Sequence, residues 1–481
     1  MLTSQRNEIS NNIDFLREMK KVGLFLGFAL FALTSFAQNA EQSALTLTLE
    51  QALEIALTES PTIKIAEQEI EIKRYAKQVT YSSLYPRFDA TAQYQRVIAK
   101  QTMSMQMGEQ AQTIKVGSDN SFNGGVTASM PIVNAQLWES LKVSVADIIL
   151  SIEKARSSQI DMIEQVTKAY FAILLAKESE VVFQRVYDNA VENNKNIQKR
   201  YEVGSVSEYD LITSNVSVQN AIPNLIEAKN AVVLALWQLK ALLGIDLQKN
   251  IDVAGSLMDY EAQMNYAMTL EQLDLSNNTT LKQLNIQEGM LESAHKIAKY
   301  ANIPTLSINA AFLYTALGND GAFFQAKAWN PYSYAGVQLN IPIFAGLQRR
   351  AAIRQAAINL SNLQLQRENA ERQLRVAVVQ SLNNMQTNVK KFSAAAATVS
   401  QAQRGYEIAV KRYEVGRGTL VDVDNSQLAL TQAELGRNNA IYNFLVSKVA
   451  LDKILGNHEV KTNHDYVEKY EQKYEKYYGD K

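Results

Sequence analysis

Hydrophobic positions in residues 134–203 advance in steps of three and four: Leu141, Val145, Ile148, Ile152, then Ile163, Val166, Tyr170 and Ile173. Such steps place one apolar face on an α-helix. The stretch holds neither Pro nor Gly, so nothing in it stops the helix. At 1.5 Å per residue, about 70 residues reach roughly 100 Å. Residues 347–415 read the same way, with one Gly at 405. Shorter helical stretches precede these, at about 49–82 and 270–300, and follow them, at about 207–243 and 419–455. Helical runs much longer than about 25 residues without caps point to coiled coil. Pro223 lies inside one of them and is expected to kink it.

The period changes between the first and second helix of each set. Phe88, Ala90, Ala92 and Tyr94 alternate with Asp89, Thr91, Gln93 and Gln95, and Val126, Ala128, Met130 and Ile132 alternate with Thr127 and Ser129. Leu306, Ile308, Ala310 and Phe312 alternate with Ser307 and Asn309, and Ala335, Val337, Leu339 and Ile341 with Gly336, Gln338 and Asn340. Period two over ~10 residues, apolar against small or polar, is the pattern of strands in an outer-membrane barrel. The expected strands are about 86–98, 121–133, 304–316 and 331–343, with Val126, Ile308 and Val337 on the lipid side. Polar loops at about 97–121 and 315–330 join each pair, and Tyr85, Tyr94, Trp329, Tyr332 and Tyr334 lie near segment ends, where aromatic girdles belong. The alternative is a soluble hairpin in each unit. Four strands cannot close a barrel, and an open edge cannot exist in lipid, so the strands must be shared between chains; a cyclic trimer would supply twelve.

The two sets of elements are copies. Lys199-Arg200-Tyr201-Glu202-Val203-Gly204 recurs letter for letter as Lys411-Arg412-Tyr413-Glu414-Val415-Gly416, and other landmarks keep nearly the same offset: Leu243-Gly244 with Leu455-Gly456, Met130-Pro131 with Ile341-Pro342, Tyr85-Pro86 with Ile303-Pro304. Self-similarity of this kind overrides the length prior of about three domains for 481 residues. The expected organisation is a first unit at 38–255, a second at 256–460 and a charged tail at 461–481, read as a solvated end. Ahead of these, Lys20 and Lys21, the apolar run Val22 to Leu33 and Ser35-Phe36-Ala37 are expected to form a signal peptide over 1–37, the alternative being a membrane anchor, with residues 1–18 expected to lie upstream of a start at Met19.

Composition narrows the chemistry. With no Cys, disulfides, thiolate metal sites and Cys nucleophiles are excluded. A net charge of −1 leaves no basic footprint for nucleic acid. The three histidines, His295, His458 and His464, form no ligand pattern, so no metal site, cofactor or catalytic constellation is expected. The informative residues lie at the repeated motif. Gly204 and Gly416 end long helices where a left-handed residue is wanted. Ser207 with Asp210, and Thr419 with Asp422, then form S/T-x-x-D patterns that resemble capping boxes.

The duplicated helix–strand–strand–long helix–helix plan, the Leu-Thr-Leu-Glu-Gln-Ala start at 47–52 and Arg-Tyr-Glu-Val-Gly in both units resemble the TolC-like outer membrane efflux protein family over about 45–457. The resemblance implies a mainly α fold with a small β part: a tandem-repeat helical coiled-coil barrel in the periplasm, with four strands per chain in a trimeric 12-stranded outer-membrane barrel. It implies an exit duct for small molecules, metal ions or proteins, working with a periplasmic adaptor (a membrane fusion protein) and an inner-membrane pump. It places Tyr413, Asp210 and Asp422 at a periplasmic gate, and Arg200, Tyr201, Gly204, Arg412 and Gly416 in the tip turns where an adaptor docks. The family's gating Arg position is Gly418 here, with Arg417 one earlier, and its second Asp position is Asn425, with Asp424 one earlier; Arg417 and Asp424 are the candidates for those roles. Capping and gating both fit the aspartates. A competing reading, a periplasmic structural or adaptor hairpin outside the membrane, would need long β-rich domains flanking one hairpin.

Overall fold

The computed structural model describes residues 45–107, 110–265, 274–319, 329–458 and 467–478. The signal peptide expected over 1–37 lies outside them. The chain opens with β1 (Leu45–Leu47), α1 (Leu49–Glu59) and α2 (Pro61–Ser82). The single helix expected over 49–82 is thus two. Ser60 is extended at φ −59°, ψ 127°, and Pro61 occupies the first turn of α2, because proline lacks an N–H and pushes the residue before it out of the helical region.

Next come β2 (Arg87–Arg96), β3 (Gln101–Met107), β4 (Gln110–Val116) and β5 (Asn120–Val133), then α3 (Ala135–Glu202) and α4 (Glu208–Leu243). After β6 (Ile251–Val253) and a 3₁₀ turn at Leu257–Asn265, the plan repeats as α5 (Thr279–Tyr300), β7 (Thr305–Gly318), β8 (Trp329–Asn340), α6 (Gln348–Glu414) and α7 (Leu420–Leu455). α3 and α6 have 68 and 67 residues, about 100 Å each. Their boundaries fall within a residue or two of those expected. The helix expected from 270 begins at Thr279, where Asn278 Oδ1 accepts from the Leu281 N–H at 3.1 Å. α4 runs through Pro223 without interruption.

In the half near the sheet, α2, α3, α5 and α6 lie side by side. In the other half, α3 pairs with α4 and α6 with α7. The main core sits where the halves meet. Tyr170, Phe171, Ile173 and Leu174 of α3 meet Phe444, Leu445 and Leu451 of α7, Leu239 and Leu243 of α4, and the small parallel ladder of β1 and β6. Burying such side chains contributes about 1.5–3 kcal/mol each.

Strands β2, β5, β7 and β8 form one antiparallel sheet in that order. The register aligns Phe88 with Ala128 and Ala310, Ala90 with Val126 and Phe312, and Ile308 with Met130 and Val337. Directly opposed residues share a face, so the four alternating segments build one continuous apolar face. Val126, Ile308, Phe312 and Val337 on it are exposed. Tyr94, Phe122 and Trp329 share a row near one end, and the Phe122 and Trp329 rings meet edge-on at 4.6 Å. Tyr332 and Tyr334, expected in the girdle, pair with Leu313 and Ala311 and so lie on the opposite, polar face. There Asn309 Nδ2 donates to Gln338 Oε1 at 3.1 Å.

Two further expectations fail. The polar loop at 97–121 contains the β3–β4 ribbon, in which Met103 opposes Ile114; its alternation is overlaid by Gln and Ser. The tail, expected to be solvated, forms α8 (Val467–Tyr478) and packs on α3, because its tyrosines carry enough apolar surface to hold it.

The sheet register yields a prediction. Val126 and Thr127 are adjacent but face opposite sides. On a barrel's lipid face a charge at the bilayer midplane costs roughly 2–4 kcal/mol. Val126→Arg is expected to reduce the assembled outer-membrane form strongly and Thr127→Arg much less, measured on gels of unheated outer-membrane extracts; equal tolerance refutes the register.

Candidate functional site

The end of the molecule farthest from the sheet is built twice from the same six residues. In the first copy the Ser205 N–H donates to the Arg200 carbonyl at 2.7 Å and the Gly204 N–H to the Tyr201 carbonyl at 2.8 Å. In the second, the Arg417 N–H donates to the Arg412 carbonyl at 2.8 Å and the Gly416 N–H to the Tyr413 carbonyl at 3.1 Å. This paired closure is the Schellman motif, and it needs a left-handed residue: Gly204 and Gly416 have φ of 70° and 72°. Arg200, Tyr201, Arg412 and Tyr413 therefore supply the carbonyls that end the two long helices.

The next helices start with the capping boxes the spacing implied. Ser207 Oγ accepts from the Asp210 N–H at 3.2 Å while Asp210 Oδ2 accepts from the Ser207 N–H at 3.3 Å. Thr419 and Asp422 repeat this at 3.2 and 3.0 Å. Hydrogen bonds from the Thr419 backbone and side chain hold the Asp422 carboxyl below its usual pKa. Its contribution to the cap is present above the ordinary carboxylate range and is lost as pH falls through the lowered value.

Between α3 and α6, just above the turns, lies a cavity of about 700 Å³ lined by Asn189, Asn193, Asn196 and Arg200 on one side and Tyr406, Val410 and Tyr413 on the other. The Arg200 guanidinium sits over the Tyr413 ring, 5.5 Å from its centre, a cation–π contact between the two units. Tyr413 Oη is buried and has no hydrogen-bond partner among the described residues. Burial raises the Tyr413 pKa, the nearby Asp210 charge raises it further, Arg200 opposes the shift and Asp424 adds to it. Asp210 is thus within electrostatic reach of Tyr413, but the bond it accepts is the cap's: its Oδ2 takes the Ser207 hydroxyl at 2.8 Å.

The displaced pair divides. Asp424 is drawn into the seam between the units, where Ser217 Oγ of α4 donates to its Oδ2 at 3.0 Å; burial raises its pKa and this bond lowers it. Arg417 stays in the exposed turn, its carbonyl accepting from Arg412 Nη2 at 3.4 Å. The turn is tight at the position after it: a Cβ on Gly418 would stand 3.2 Å from Arg412 Cβ and 3.3 Å from the Tyr413 backbone N. The guanidinium that reaches Tyr413 is that of Arg200. Farther from the tip the seam continues as Asn189 Nδ2 to Gln427 Oε1 at 3.0 Å and Arg185 to Glu434 at 2.6 Å. Sequence reading placed Arg200 in the docking turn and not beside Tyr413, and it missed Ser217 and Tyr406 as members of this site. Tyr406 carried a signal, since it lies seven residues, two helical turns, before Tyr413.

The capping boxes make a prediction of their own. Ser207→Ala and Thr419→Ala should each lower stability by about 0.5–2 kcal/mol, read by thermal melting. Unchanged stability in both would show that the boxes do not hold the helix starts.

Comparison with known proteins agrees with this architecture. The family model described as "Outer membrane efflux protein" matches twice, at residues 52–245 and 270–457. TolC of Escherichia coli is 21% identical over 348 residues, covering 70% of this chain and 70% of TolC. The alkaline protease secretion protein AprF of Pseudomonas aeruginosa is 22% identical over 427 residues, covering 86% of this chain and 85% of AprF. The crystal structure of the CmeC outer membrane channel of Campylobacter jejuni superposes with a TM-score of 0.70 at 20% identity, covering 89% of each chain. With both halves matched by one family model and the fold shared, the chain belongs to the outer membrane efflux protein family.

Proposed function

We propose that this chain is one third of an outer-membrane exit duct that passively conducts cargo from an inner-membrane pump to the exterior. The family is one of outer-membrane transport channels, not enzymes. The observation that carries the reading is the sheet: four antiparallel strands with one apolar face and two open edges, carried on helices about 100 Å long. A homotrimer closes twelve strands into a barrel. The units at 38–255 and 256–460 are then two copies of one building block, six of which line the duct. Exposed apolar residues on the flanks of the four-helix layer fit this closure: Ile65, Ile72 and Val79 on α2, and Ile358 and Leu365 on α6, both at heptad spacing.

A periplasmic adaptor docks at the tip turns around Arg200, Tyr201, Gly204, Arg412 and Gly416 and couples the duct to the pump. Cargo is selected by the pump, which is why similar chains serve different exports; AprF is named for alkaline protease secretion. The alternative, an adaptor that never enters the membrane, would have no use for an apolar sheet face.

The gate is assigned to Tyr413, Asp210, Asp422 and Asp424, with Arg200 taking the place of Arg417. Tyr413 Oη, buried and without a partner among the described residues, is the group that gains a partner when the two coils close on the cavity. Three such bonds in a trimer, at about 0.5–1.5 kcal/mol each, are enough to shift a closed–open balance more than tenfold. Exposed Asp422 carboxylates, repeated around the axis, form a ring that attracts cations.

This sets stability apart from gating. Tyr413→Phe removes a hydroxyl that has no partner in this state, so thermal stability should hold or rise. Conductance of the resting channel should rise severalfold, and further with Asp210→Ala. Single-channel recording and thermal melting on the same proteins test this; unchanged conductance in the double variant removes the gate assignment.

A further inference from the structure

We propose that the C-terminal helix α8 is an intramolecular brace that fixes the spacing of the strand roots, so that the sheet presents its edges for assembly; the assembly half of this rests on the trimer reading above. Its seat is made by the three helices that carry β2, β5 and β7. On α2, Lys77 Nζ lies 4.3 Å from the Tyr470 ring centre and Lys473 Nζ donates to Tyr81 Oη at 3.3 Å. On α3, Lys142 Nζ stands 6.0 Å from the Tyr477 ring. On α5, Ser293 and the Tyr478 hydroxyl share a 2.8 Å hydrogen bond.

The fit depends on a missing side chain. A Cβ on Gly289 would come 3.0 Å from Tyr478 Cδ1 and 3.3 Å from the Tyr474 hydroxyl. Gly289 is buried and Ser293 fully covered there, and the Tyr470, Tyr474 and Tyr478 rings pack on a cluster that includes Ile70, Ala146, Ile149 and Ile286. The helices end close to their strands. Ser82 precedes Arg87 by five residues, Val133 precedes Ala135 by two, and Tyr300 precedes Thr305 by five. A clamp across α2, α3 and α5 therefore sets the separation of β2, β5 and β7 at their periplasmic ends. Cation–π contacts and tyrosine hydrogen bonds add to this packing where the clamp crosses lysine-bearing helices.

The test compares the full chain with Gly289→Leu and with a chain ending at His458, by hydrogen exchange and by the fraction of heat-resistant trimer on gels. Leucine is a better helix former than glycine, so loosening of α5 in Gly289→Leu reports the lost seat and not a weaker helix. Both variants are expected to speed exchange about tenfold at 82–87 and 300–305 and to lower the trimer fraction. Gly289→Leu should in addition strip protection from α8. The brace is overturned if α8 is unprotected in the unaltered chain, or if displacing it leaves the strand roots and the trimer fraction unchanged. An unaltered chain that forms no trimer refutes the trimer reading instead, while exchange at the roots still decides whether α8 braces them.

Discussion

The outer sides of β2 and β8 carry rows of backbone N–H and C=O groups that no strand of the same chain pairs among the described residues. In hydrocarbon there is no water to satisfy such groups, and each left unpaired costs several kcal/mol. With its apolar face in lipid, as proposed, such a sheet could not exist as a single chain. On that reading the backbone alone requires assembly, before any side-chain contact is considered, and the rest of the molecule serves to present those edges. The long helices hold the sheet at one end and the tip at the other. The core at Tyr170, Phe171 and Phe444 locks the two units together midway.

Away from that core the contacts between units change character. Toward the tip they become polar and sparse: Arg185 with Glu434, Asn189 with Gln427, Ser217 with Asp424, and then a cavity spanned by Arg200 and Tyr413. Polar pairs at a partly wet seam exchange readily with water and give little net stability, so the two coils are held together less tightly there than at the core. The same sequence motif does different work in its two copies. Tyr413 faces the cavity, whereas Tyr201 is exposed, because each Tyr is placed by the coil beside it and not by its own neighbours in sequence.

Much of the fold was legible because its signals are local. Runs without Pro or Gly gave α3 and α6, alternation gave the four strands to within a few residues, and glycines followed by S/T-x-x-D gave both tip turns. What escaped had two causes. Some signals were present but weighed too lightly: Ser60-Pro61 is a helix start, and Met103 and Ile114 alternate within a polar ribbon. Others exist only in three dimensions. Arg200 and Tyr413 are joined by packing between units, Gly418 is crowded by Arg412, and the tail's tyrosines find their seat on Gly289. The side on which Tyr332 and Tyr334 lie was legible too, since they alternate with Ala335 and Val337; their place near a segment end was weighed above that parity.

The central claim is that β2 of one copy pairs with β8 of another, three copies in all. The chain has no cysteine, so introduced pairs report without background. Within one chain β2 and β8 are three strand spacings apart, about 14 Å, too far for a disulfide, whose Cα atoms lie within about 7 Å. Thr91→Cys combined in turn with Tyr332→Cys, Tyr334→Cys and Gly336→Cys, oxidised in outer membranes, should give for at least one pair a covalent ladder that stops at three chains. Monomers alone for every pair, or a ladder that stops at two or runs past three, would contradict the account.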